Sequence, residues 1–276
     1  TASGECKVAI TEAEIRNALD SVKLPDGQSL AASGRIAKGT VNGDRVICIV
    51  AVDANESRAL EPTRVAAEAV LTGWNQYPPM PGLPGLRTAI ADHYARHQGL
   101  AIDPLTEVLV TSGATEAIAG ALLALIEPGD EVILFEPMYD AYLPLVQRAG
   151  GIPRFVTLAP PDWTITAEAL AGAVSSRTRL MLLNNPLNPA AVVYPREDLE
   201  LLARYCQEFD TVAICDEVWE HVVFDGREHI PLIAIPGMRE RTVKIGSAGK
   251  IFALTGWKIG FVCAAPELLR VVAKTH

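Results

Sequence analysis

The sequence predicts an α/β fold, with a mostly parallel sheet covered by helices on both faces and a small α+β unit ahead of it. Three observations carry that prediction. From Val108 onward, short apolar runs alternate with amphipathic stretches, as in strand–helix units whose parallel strands are buried on both sides. The chain changes character near residues 71–76. At 276 residues and 49% hydrophobic, it can build one or two domains of roughly 100–200 residues each and is too apolar for a disordered chain.

The first unit, residues 1–71, opens with Thr11-Glu12-Ala13-Glu14. A threonine followed three residues later by glutamate is a capping box, which starts a helix. That helix runs to about Val22 and stops at Pro25-Asp26-Gly27. Arg35–Val41 and Arg45–Val52 read as strands, and Asn42-Gly43 between them is the strongest short turn signal. A second helix is expected over about Arg58 to Leu71.

Residues 72–276 form the second unit. Strands are expected at Val108–Thr111, Glu131–Phe135, Arg154–Val156, Leu180–Leu183, Val212–Cys215, Thr242–Ile245 and Ile259–Cys263. Helices are expected at Ala114–Ile126, Tyr139–Arg148, Ala167–Val174 and Arg196–Glu208. No repeat or low-complexity segment interrupts this order.

Composition excludes some functions. With 24 basic and 33 acidic residues the formal charge is −9, which disfavours binding to nucleic acid or an anionic membrane. The longest apolar run, Ala117–Ile126, ends at Glu127-Pro128-Gly129, far short of the roughly 20 residues a membrane helix needs. Thr1–Glu5 carries no signal peptide and no Met, so the sequence points to the cytoplasm and leaves the true N-terminus open. The five cysteines, an odd number with no C-x-x-C pair, read as buried free thiols in a reducing compartment. His93 and His97, four apart on an expected helix, lack H-E-x-x-H and a nearby third ligand. They read as surface residues, and no metal site is expected.

In a parallel sheet ligands sit beyond the carboxyl ends of the strands. After Val108–Thr111 comes Ser112-Gly113-Ala114-Thr115-Glu116. A small-residue turn opening a helix is a phosphate cradle or an ordinary helix start. Tyr139 comes after the next strand and can stack on a planar ligand or join the core. Asn184-Asn185-Pro186-Leu187-Asn188-Pro189 places three amides in a rigid loop, which turn chemistry alone also explains. Asp216-Glu217 ends another strand. Gly246-Ser247-Ala248-Gly249-Lys250 has the wrong glycine spacing for a nucleotide P-loop and is succeeded by Ile251. A lysine beside an apolar stretch is either partly buried, with a lowered pKa and a nucleophilic amine, or an ordinary surface-loop lysine. One reading uses all five strand ends together. A phosphate cradle, an aromatic, an amide, a carboxylate and a lysine are the set that holds pyridoxal phosphate.

With those residues in place, Gly73 to His276 resembles the fold-type I, class I/II aminotransferases, and most of all the branch of kynurenine–glutamine transaminases. The stretches that carry the resemblance are Asn75-Gln76-Tyr77-Pro78, Gly82–Arg87, Thr111–Ala117, Glu136–Tyr142, Asn185–Pro189, Asp216–His221 and Ile245–Gly260. It implies a pyridoxal-phosphate enzyme that moves an amino group between an amino acid and a 2-oxo acid, with Lys250 as Schiff-base lysine and proton shuttle. Asp216 would pair with the pyridine nitrogen, Asn188 would bond the ring 3-hydroxyl oxygen, and Tyr139 would stack on the ring. The backbone N–H groups of Ala114 and Thr115, with Ser247 and Lys258, would hold the phosphate. Tyr77 would reach the phosphate of a neighbouring subunit, implying a homodimer.

Three departures stand out. Trp219 occupies the place of a usual tyrosine, which weakens the contact to the 3-hydroxyl oxygen because indole is no phenol. Asn188-Pro189 is succeeded by Ala190-Ala191 where relatives usually carry Thr-Gly, which is expected to change that turn. Lys258 replaces a frequent arginine, losing its fork. The resemblance covers the large domain only: the family's small domain, with the arginine that grips the substrate carboxylate, and its N-terminal arm have no counterpart in these 276 residues. About Ile10–Leu71 resembles instead the small N-terminal domain of Mrp/ApbC-type iron–sulfur carriers, through Thr11–Val22, Gly34-Arg35 and Val41–Val52. The rival readings are a carbon–sulfur β-lyase on the same cofactor, a truncated non-catalytic cofactor-binding module, and an iron–sulfur scaffold.

Overall fold

The computed structural model describes residues 11–42, 45–51, 60, 63–65, 67–69 and 77–276. The chain divides into two compact units, Thr1–Pro78 and Pro79–His276.

In the first unit the capping box is formed. Thr11 Oγ1 accepts the Glu14 N–H at 3.3 Å, and Glu14 Oε2 accepts the Thr11 N–H at 2.7 Å. This caps helix α1, Glu12–Leu19. Strands β1 (Ile36–Asn42) and β2 (Arg45–Val50) pair antiparallel with Asn42 opposite Arg45. Gly43 of the expected turn lies outside the described residues. So does much of the second expected helix, although 63–65 and 67–69 are helical. Ile15, Leu19, Leu30 and Leu60 share a small buried cluster.

The second unit is built on a seven-stranded sheet. Its strands are β3 (Val108–Thr111), β4 (Glu131–Glu136), β5 (Ile152–Thr157), β6 (Thr178–Asn184), β7 (Val212–Asp216), β8 (Thr242–Ser247) and β9 (Gly260–Cys263). Their spatial order is β3-β9-β8-β7-β6-β4-β5. β5, β4, β6, β7 and β8 run parallel, and only β9 is antiparallel to its neighbours β8 and β3.

Side chains alternate across the pleat, and here both sides are dry. Val132, Leu134, Leu180, Leu182 and Ile214 enter one core, shared with Ile118 and Leu122 of helix α3 (Ala114–Leu125) and with Val146 of α4 (Tyr142–Arg148). The intervening Ile133, Phe135, Met181, Leu183 and Cys215 enter the other. There they meet Leu170 of α5 (Ala167–Ala173) and Leu199 and Leu202 of α6 (Arg196–Glu208). This is the doubly covered sheet that the unbroken apolar runs demand. Helix α2 (Pro84–Gln98) precedes the sheet, and Arg87 ties it to β3 by donating to the carbonyls of Val108 and Leu105. Two short helices, α7 (Ala248–Ile251) and α8 (Pro266–Val272), complete the unit.

Two expectations are corrected. The helix after β4 begins at Tyr142, not Tyr139: this start keeps Pro144 in the first turn, where its missing N–H costs nothing, whereas a start at Tyr139 would place it in the helix interior. The strand expected at Arg154–Val156 spans Ile152–Thr157, since β4 pairs with all six of its residues. Cys206, Cys215 and Cys263 are buried free thiols. Among the described residues no helix is long and apolar enough to cross a membrane.

Candidate active site

The sheet register assembles a site. Asn184 is opposite Asp216, Asp216 opposite Ile245, Ser247 opposite Gly260, and Gly260 opposite Thr111. The residues that close β6, β7, β8 and β3 therefore stand in one row at the end of the sheet. Above them is a cavity of about 440 Å³, lined by Ala114, Thr115, Tyr139, Asn188, Asp216, Trp219, Ser247, Lys250 and Lys258.

Asp216 is the buried charge of this cavity, 5% exposed. Its Oδ2 accepts the Tyr142 hydroxyl at 2.6 Å, and its Oδ1 accepts the Val218 N–H at 3.4 Å. Burial pushes its carboxyl above the usual range, opposed by the Tyr142 bond, the Val218 N–H and the nearby Lys250. A carboxylate held this way gains from a cationic N–H placed against it.

The opposite end of the cavity is the start of α3. Its cap is Gly113, at φ +83° and without a side-chain cap bond, so the first N–H groups are left for a ligand by helix geometry. Gly260 lets β9 press against this start: a Cβ there would lie 2.3 Å from Gly113 C and 2.6 Å from Ala114 N. Gly260→Ala must move backbone, so it is expected to cost about 1–3 kcal/mol, read by urea denaturation. Lys258, exposed and in the left-handed region at φ +54°, passes beside Gly113. Ser247 is buried; its hydroxyl accepts the Gly249 N–H and donates to the Ile259 carbonyl.

Lys250 settles between two expectations. It is exposed, not partly buried, because one helical turn after Ser247 carries it out of the sheet layer. Its Nζ lies 4.6 Å from the centre of the Trp219 ring. The three amides of the Asn184–Asn188 loop have separate tasks. Asn184 donates to the Asp216 carbonyl and accepts the Asn188 N–H at 2.7 Å. Asn185 accepts the Tyr194 N–H, leaving the Asn188 side chain for the cavity wall. The turn after this loop holds Ala191 at φ +56°, so alanine adopts a conformation that costs it about 1–2 kcal/mol. Tyr139 is partly exposed, with its ring edge-on to Tyr142 at 5.6 Å. Tyr77 belongs to the first unit and is fully exposed.

Sequence reasoning missed Tyr142, and it noted Asn184 among the loop amides without its pairing to Asp216. It also missed a buried charge network one layer below. Lys244, wholly buried in β8, bonds the carboxylates of Glu217 and Glu220. His229 Nε2 meets Glu217 at 3.0 Å, and Tyr94 and Gln98 donate to Glu220. The signal was present: a lysine inside a buried apolar strand demands a charged partner.

A family model, "Aminotransferase class I and II", matches residues 44–276. The chain belongs to the class I and II aminotransferase family. The probable N-succinyldiaminopimelate aminotransferase DapC of Mycobacterium tuberculosis is 49% identical over 208 residues, covering 75% of this chain and 52% of the relative. Human kynurenine–oxoglutarate transaminase 1 is 43% identical over 213 residues, covering 73% and 50%. The solved structure of N-succinyldiaminopimelate aminotransferase from Mycobacterium tuberculosis superposes with a TM-score of 0.75 at 48% identity, covering 77% of this chain and 56% of that one. The chain thus spans about half the length of the curated relatives it matches. The aminotransferase match takes in β2 of the first unit, and the resemblance to iron–sulfur carriers receives no support from these comparisons.

Aminotransferases of this class use pyridoxal phosphate. The donor set of the cavity suits that group. It offers a buried carboxylate with space before it, a primary amine, and an uncapped helix start whose close packing a Cβ on Gly260 would destroy.

Proposed function

We propose that residues 72–276 are the large domain of a pyridoxal-phosphate-dependent aminotransferase that moves an amino group between an amino acid and a 2-oxo acid. The observation that carries this reading is the row of strand ends that brings Asp216, Lys250 and the start of α3 onto one cavity. When bound, the pyridoxal group supplies an electron sink for charge that develops at the substrate α-carbon.

The residues divide the remaining work. Asp216 holds a proton on the pyridine nitrogen by presenting a buried negative charge to it. The α3 N–H groups of Ala114 and Thr115, with Ser247 and Lys258, bind the phosphate dianion at the positive end of the helix. Tyr139 covers the ring face. Asn188 and Trp219 line the same cavity and would supply N–H donors to the cofactor's 3-hydroxyl oxygen. The Lys250 amine would act as the base that takes and returns the proton at the substrate α-carbon. Tyr77 completes the phosphate site of a second copy in a homodimer. Buried free thiols suit a reducing cytoplasm.

The reading is tested by adding pyridoxal phosphate, reducing with borohydride and mapping peptides. A phosphopyridoxyl adduct confined to Lys250 supports it, and an adduct spread over surface lysines overturns it. Asp216→Asn keeps the Tyr142 contact but removes the charge. It is expected to lower kcat by about 100-fold or more, as loss of one preorganised charge partner does, with the adduct still on Lys250.

A further inference from the structure

Outside the cavity, three imidazoles meet on the surface of the second unit. His93 and His97 lie one turn apart on α2, and His221 arrives from the segment after β7. The Nε2 atoms of His93 and His221 are 2.9 Å apart. Ring centres are 4.7 Å apart for His93–His97, 4.9 Å for His93–His221 and 5.1 Å for His97–His221. The buried carboxylate of Glu220 joins them: one ligand atom each from His93, His221 and Glu220 lie within 4.8 Å of one another.

We propose that His93, His221 and Glu220, with His97 as the fourth donor at the rim, form a binding site for a divalent transition-metal ion of the zinc class. This rests on the cluster alone and is independent of the proposed transamination. Imidazole and carboxylate are zinc donors, and histidines four apart on a helix present both rings to one ion. Tetrahedral zinc with Zn–N bonds of about 2.0–2.1 Å sets its donors about 3.3 Å apart, so the two Nε2 atoms need to part by only a few tenths of an ångström. At present one ring donates a proton to the other. Ligation moves that proton to Nδ1 and frees both lone pairs.

The charge balance favours a cation on this side. Glu217 and Glu220 bring two carboxylates against the single ammonium of Lys244. His229 approaches Glu217, whereas Glu220 faces His93 and His221. Glu217, Glu220 and His229 also cluster within ligand distance, but there Lys244 bonds both carboxylates; in the proposed site only Glu220 is so held, accepting from Lys244 and Gln98 at Oε2 and from Tyr94 at Oε1.

The test is titration of the tag-free full chain with zinc chloride after chelator treatment, read by calorimetry and metal analysis. The expected result is one zinc per chain. His221→Gln and His93→Gln are each expected to weaken it by about 100-fold or more, above the 10–100-fold cost of a lost outer-shell partner. Failure to bind zinc, or zinc retained by both variants, overturns the proposal. Cobalt(II) on the unmutated chain gives a second reading that needs no variant. Visible bands of a nitrogen- and oxygen-ligated low-coordinate ion support the site, and the spectrum of hydrated cobalt overturns it.

Discussion

Lys250→Ala is expected to lower kcat by about 10²–10⁴-fold, the contribution of a positioned proton-transfer group. The reason is local. Lys250 supplies a primary amine at the cavity wall, over the Trp219 ring, and alanine leaves no base there. Phosphate contacts from the start of α3 and from Lys258 are untouched, so affinity for pyridoxal phosphate is expected to fall much less than turnover. Added methylamine should restore part of the rate, because it returns an amine without its tether and so without the entropic advantage of being held in place. Steady-state kinetics with and without methylamine check this. A variant that keeps wild-type turnover would remove Lys250 from the mechanism.

Lys244→Met is expected to cost about 3–5 kcal/mol, the range for breaking a buried ion pair from one side. Lys244 is wholly buried and touches both Glu217 and Glu220. Methionine fills the volume but leaves two carboxylates facing each other. Urea denaturation of the full chain measures the loss, and adding Glu217→Gln and Glu220→Gln should recover part of it.

The same network fixes an acid limit. Burial by itself would raise the Glu217 pKa, but Lys244 and His229 more than offset it and hold the carboxyl at about 2. A pKa depressed below its unfolded value, near 4.3–4.5, gives stability that is present above that value. It is lost as pH falls through the interval down to about 2. Lys244→Met removes the larger source of that depression, so the acid loss in the variant should be smaller.

Much of the second unit was legible because its patterns are local. Val108–Thr111 and Arg196–Glu208 were read to the residue, since an apolar run of four and an amphipathic stretch of thirteen carry their own periods. Asp216 and Ser247 were legible because they close apolar strands, and Asn188 because its loop follows one, where a parallel sheet places its ligands. Lys250 shows the limit. Its apolar neighbours leave burial and exposure equally open, and the turn at Ala248–Ile251 carries it outward. Direction out of a turn is a property of the backbone path, which composition does not record.

By itself, the sequence determined the order of strands and helices, the parallel character of the sheet, and the residue types at the strand ends. Short-range periodicity and chain connectivity specify those. Only the tertiary structure decided which of them meet. Tyr142 finds Asp216 across 74 positions, Lys244 finds Glu217 across 27, and His93 finds His221 across 128. Such encounters arise from the β3-β9-β8-β7-β6-β4-β5 order of the sheet. That order is set by the joint packing of both cores, because each strand must bury two faces at once.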